Sequence, residues 1–111
     1  MYSEETQKKI NTIKKFVKAK FGSEVVYAIP LSILADNLDL CEKYKKKIDE
    51  DGIIIKGLNG YPCRHSLLQN LKESQTLILR LLTEFGVTPK SLSKINLAED
   101  DQQEILDIIN G

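Results

Sequence analysis

The sequence predicts an all-α fold, a helical bundle built on two long antiparallel helices. Three observations lead there. Apolar residues recur at spacings of three and four over three long stretches, the period of a helix with one buried face. Gly22, Gly52 and Gly86 stand where each of those stretches stops. A single tract, 53–61, reads instead as strand and turn, so a minor β-ribbon there, or an ordered loop across the helix ends, completes the class. With 111 residues the chain is sized for one domain that buries a core without staples.

The first helix is expected over about 4–21. Ser3 is its N-cap, and Glu4 and Glu5 sit in the first turn, where the helix dipole favours acids. Ile10, Ile13, Val17 and Phe21 make its apolar stripe, while Lys8, Asn11, Lys15 and Lys18 stand on roughly the opposite side. After Gly22, the run Val25 to Ile29 is β-branched and aromatic, and Pro30 biases Ile29 towards an extended backbone. A short strand and a buried linker both fit that run.

The second helix is expected over 31–51, entered at Pro30 or Ser32. Leu31, Leu34, Leu38, Cys41, Tyr44 and Ile48 form its seam. Lys43, Lys45, Lys46 and Lys47 cluster in its last half, where the dipole favours cations, with acids directly behind them. In the tract that follows, Asn59-Gly60 suits a tight turn. The ribbon would form within 53–61 or by pairing 53–55 with 25–28.

The third helix, expected over 64–85 with Pro62 near its start, reads as the longest strongly periodic helix and the most apolar. At 100° per residue its leucines and isoleucines, closing with Phe85, cover roughly 200° of its girth, against the ~100° of a one-sided helix. Such a helix needs at least two packing partners, and a second subunit is one source. Leu67, Leu71, Leu77, Ile78, Leu81, Leu82 and Phe85 are therefore the expected oligomer interface. Gly86 stops the helix, and Thr88-Pro89 reads as an N-cap and first-turn proline of a short helix over about 89–95. Asn96 would cap a last helix from Leu97 to Ile109. The chain thus divides into a basic N-terminal helix (1–21), a central helical oligomerisation core (30–95) and an acidic C-terminal helix (97–111).

Composition is ordinary for a water-soluble domain, 41% hydrophobic and 29% charged. Two cysteines do not make a disulfide framework, which fits a reducing cytoplasm, and no apolar run approaches the ~20 residues of a membrane span. The net charge of zero hides a polarity. Residues 1–21 carry six lysines against two glutamates; residues 97–111 carry five acids and no base. That pattern suggests a basic end and an acidic end with different partners. Lysines at helical spacing on the first helix would neutralise successive phosphates, whereas a plain solvated face is the alternative. The stripe lacks tryptophan, which argues against a membrane surface.

No catalytic constellation stands out. Cys63, His65 and the distant Cys41 give three ligands and no CxxC pair, short of a structural zinc. His65 reads instead as a cap or a flanking residue at the start of the third helix. No acid/base pair, nucleophile or phosphate loop can be singled out, so no enzyme activity, metal or cofactor is expected.

Asn59-Gly60-Tyr61-Pro62, followed by a leucine-rich helix that ends in Phe85-Gly86-Val87-Thr88-Pro89, resembles the small subunit of bacteriophage terminases, in the subgroup with an FG[LV]TP motif. The likeness covers roughly residues 30–95. It departs after the proline, where Leu92 stands near the family's usual arginine. The resemblance implies a non-catalytic protein of the host-cell cytoplasm that forms a homo-oligomeric ring and recognises viral double-stranded DNA. It also implies delivery of that DNA to a large subunit carrying ATPase and nuclease. On charge placement, Lys8, Lys15 and Lys18, assisted by Arg64, Lys90 and Lys94, are the expected DNA contacts, with the acidic tail left for the large subunit or for regulating assembly. The rival readings are a helix-turn-helix transcriptional regulator, with its corner at Gly86, and a helical adaptor that binds only protein.

Overall fold

The computed structural model describes residues 2–23, 25–95 and 97–110. Its elements are α1 (Glu4–Phe21), a 3₁₀ turn (Val25–Tyr27), α2 (Ala28–Asp51), β1 (Ile54–Lys56), β2 (Pro62–Arg64), α3 (Leu67–Glu84), α4 (Pro89–Leu92) and α5 (Glu99–Asn110). The fold is all-α with a minor antiparallel β-ribbon.

α1 begins as its sequence dictates: the Ser3 hydroxyl accepts the Thr6 amide, and Gly22, at φ 80°, ends the helix. It lies along the first half of α2. A polar cluster fixes its start there: the Ser3 hydroxyl (2.6 Å) and the Thr6 hydroxyl (3.0 Å) both donate to Glu42, and the Ser3 amide donates to Asp39.

The segment Val25 to Ile29 is neither strand nor linker, and this corrects both expectations. It is a 3₁₀ turn running straight into α2, which starts at Ala28 rather than Leu31. Pro30 is the third residue of the helix, where its missing N–H costs no hydrogen bond. Tyr27 decides the matter. Its ring lies 4.9 Å from that of Phe21 and 5.4 Å, edge-on, from that of Phe85, so a tertiary cluster overrides the β preference of its neighbours. At 24 residues α2 is longer than the 18 of α3, so the most apolar helix is not the longest.

The ribbon pairs Ile54 with Arg64, Ile55 with Cys63 and Lys56 with Pro62. It therefore reaches beyond 53–61 and leaves 25–28 out. Pro62 opens β2 instead of starting α3; as a residue of a two-stranded edge it needs no N–H to donate. The turn is closed by the Gly57 amide on Tyr61 O at 2.8 Å and the Gly60 amide on Gly57 O at 3.0 Å.

α2 and α3 are antiparallel: Tyr27 meets Phe85 at one end, and Asp51 meets His65 at the other. One core joins Ile10, Ile13, Phe16 and Val17 of α1, Leu31, Leu34, Ala35, Leu38 and Cys41 of α2, Ile78, Leu81 and Leu82 of α3, and Phe85 at the C-cap of α3. Val87, Leu92 of α4 and Ile105 of α5 close it. α1 covers only the first half of the α2–α3 hairpin, so the far half and its ribbon project. The extents, 55 × 24 × 23 Å, and a radius of gyration of 16.2 Å, against about 13 Å for a compact chain of this length, record that arm.

At the corner after α3, Gly86 takes φ 74°, the left-handed conformation its residue type favours. Thr88 and Ser91 form a reciprocal capping box with Pro89 in the first turn. α4 is one turn, shorter than the expected 89–95. The expected cap at Asn96 lies outside the described residues; α5 begins at Glu99.

Candidate nucleic-acid interface

α1 turns its core residues towards α2 and leaves Lys8, Lys15 and Lys18 exposed on its outer side. The periodicity explains why: residues seven and three apart return to one face of a helix. Among the described residues Lys8 and Lys18 make no ion pair. Lys15 does: its Nζ lies 3.4 Å from the Asp101 carboxylate of α5. One turn along, the Thr12 hydroxyl contacts Glu104 at 3.1 Å, and Ile105, the next residue after Glu104, is fully buried. The basic and acidic ends of the chain, expected to have different partners, therefore lie side by side.

The other candidate cations are scattered. Arg64 is exposed on β2 at the far end of the arm, whereas Lys90 in α4 and Lys94 just after it lie at the opposite end. The structure does not bring these three together with the α1 row. Near α4, Lys20, which no sequence pattern singles out, directs its Nζ at the Phe85 and Gly86 carbonyls (3.4 and 3.5 Å). A cation there is favoured by the negative end of the α3 dipole.

Of the expected interface residues, Ile78, Leu81, Leu82 and Phe85 are buried within the chain's own core, and Leu67, Leu71 and Leu77 are half-buried. α2 and the turn before it also carry uncovered apolar side chains. Val26, Ile29, Ile33 and Leu40 recur at helical spacing opposite the core seam, with Ile29 75% exposed. Their spacing is readable in the sequence, but the cleaner seam on the other side of the helix masks it.

His65 does cap the start of α3. Its Nδ1 accepts the Leu67 amide at 3.1 Å, while Ser66, the formal N-cap, makes no side-chain bond. Nδ1 is thus the unprotonated nitrogen, and Nε2–H donates to Asp51 at 2.9 Å. This contact with His65, and then Lys47, hold the Asp51 carboxyl below the usual carboxylate range. Lys43, with the Ser3 amide, does the same for Asp39. Cys41 lies in the core, where burial pushes its thiol up, and Cys63 is exposed on the ribbon. Among the described residues no three His, Cys, Asp or Glu side chains gather as metal ligands, and no helix is long and apolar enough to cross a membrane. A groove of about 930 Å³ between α1, α2, α3 and α5 has Leu38, Cys41 and Ile78 in its lining and charges of both signs around it.

The family model described as phage terminase, small subunit, matches residues 24–102. The chain belongs to the phage terminase small-subunit family. The match runs from the 3₁₀ turn into the first turn of α5, so it takes in the whole α2–α3 hairpin. Lys8, Lys15 and Lys18 stand outside the matched span of this terminase small subunit, and their assignment rests on charge and geometry alone. No curated protein and no solved structure matches the chain.

Proposed function

We propose that this terminase small subunit is the non-catalytic, DNA-recognising component of phage genome packaging, acting as a ring-shaped homo-oligomer beside a large subunit that supplies ATPase and nuclease. The family match across 24–102 carries the reading. Two features of the molecule support it. The Lys8/Lys15/Lys18 row offers cations at a spacing that can follow a phosphate backbone. The uncovered Val26/Ile29/Ile33/Leu40 stripe leaves α2 apolar on two sides, the pattern of a helix buried in a larger assembly. Arg64 on the arm, Lys90 in α4 and Lys94 just after it are too dispersed for one subunit to present all six cations to one stretch of duplex. In a ring, neighbouring subunits would bring them round the same DNA.

A helix-turn-helix regulator fits less well. Its recognition helix must enter the major groove with several base-reading side chains, and α4 after the Gly86 corner has a single turn. Binding of viral duplex measured against salt tests the proposal. The triple variant Lys8→Ala/Lys15→Ala/Lys18→Ala is expected to flatten the slope of log K against log salt by about 0.9 for each phosphate it no longer neutralises. An unchanged slope would remove α1 from the DNA surface.

A further inference from the structure

α5 carries Glu99, Asp100, Asp101, Glu104 and Asp107 with no basic residue, and it packs directly against the lysine-bearing helix. The register is regular. Lys15 meets Asp101, and three residues back along α1 Thr12 meets Glu104, three residues on along α5. The helices are therefore antiparallel, and the next step brings Asp107 towards Lys9, both of which line one groove. The buried Ile105 anchors this arrangement. Carboxylates so placed occupy one flank of the surface that a phosphate backbone would follow.

We infer that α5 is an autoinhibitory strap, in which the Asp101 carboxylate occupies Lys15 in place of a DNA phosphate and so weakens duplex binding by α1. The inference rests on the DNA-binding reading above and adds a regulation to it. Lys15 is 61% exposed on its side chain, so the pair is solvent-screened and exchangeable. A polyanion can compete for this lysine without unpacking Ile105. Lys8 and Lys18, unpaired among the described residues, would hold DNA whether or not Lys15 joins them.

The test uses the full chain, a labelled random-sequence duplex and a salt titration. Asp101→Asn should raise affinity about threefold at low salt and steepen the salt slope by about 0.9, the signature of one additional neutralised phosphate. Lys15→Gln should cost little in the wild-type background and should abolish the gain in the Asp101→Asn background. Asp100→Asn removes the same charge from a residue that makes no such contact, and should shift affinity less.

Wild-type binding with no change on Asp101→Asn overturns the strap and leaves the DNA reading intact. An equal gain from Asp100→Asn, or a gain that survives Lys15→Gln, overturns the Lys15 contact as its cause. No binding by wild type, Asp101→Asn or the double variant defeats the DNA reading together with the inference. Thermal melting of each variant, expected to stay within a few degrees of wild type, confirms that the fold is kept.

Discussion

Where the ribbon meets α3, His65 works through three atoms: its amide donates to Ile53 O at 2.6 Å, Nδ1 accepts the Leu67 amide, and Nε2–H holds Asp51. The side chain is 6% exposed, but its partner Asp51 is exposed and keeps Lys47, so removing the imidazole mainly uncaps the Leu67 amide. His65→Ala should therefore cost about 1 kcal/mol, the loss of a helix cap, read from urea unfolding. Acid should also loosen the fold through Asp39 and Asp51. Both have folded-state values depressed by their partners, so their contribution is fully present above the ordinary carboxylate value near 4. It is lost as pH falls through the depressed values. Urea midpoints should hold near neutral pH and drop below about pH 4, with a shallower drop in Asp39→Asn.

At the scale of elements, the corner between α3 and α4 has the sharpest punctuation. Thr88→Ala removes a capping box and should cost about 1 kcal/mol in unfolding free energy. Gly86→Ala should cost a similar amount, about 1 kcal/mol, because φ 74° is left-handed. The added methyl would also meet the Lys20 Nζ, but that flexible tip can swing aside. These features are legible in the sequence because caps and glycine stops are decided within a few residues. Ser3, Gly22, Gly86, Thr88 and Pro89 all act where the sequence places them. Val25 to Ile29 escapes local rules for the opposite reason, since its conformation is settled by Tyr27 against Phe21 and Phe85, and no local propensity contains that. Pro62 fits a helix start and an edge strand equally well, so sequence alone has no means to choose. As for the candidate site, the α1 lysines are visible as a row. Their neighbour is not, because Lys15 and Asp101 lie 86 residues apart and charge counting carries no register.

At the scale of the molecule, the core shared by all five helices and the bare α2 stripe make separable claims. Leu82 is 1% exposed, so Leu82→Ala should destabilise the chain by about 3 kcal/mol in urea unfolding. Ile33 and Leu40 face outward, and Ile33→Glu/Leu40→Glu should leave the unfolding midpoint of each chain nearly unchanged. If this face joins subunits, the same double variant should lower the mass found by sedimentation to that of a smaller species. A wild-type chain that sediments at 12.6 kDa would remove the ring from the proposal.

The projecting arm has a consequence of its own. Beyond the reach of α1 the hairpin is held by α2, α3 and the ribbon alone, so its length is set independently of the packed end. Adding seven residues to each helix at matching levels would move the ribbon outward by about 10 Å and bring the seam back to nearly the same face. Reach is thus an adjustable dimension of this architecture, like the handle of a tool whose head keeps its shape.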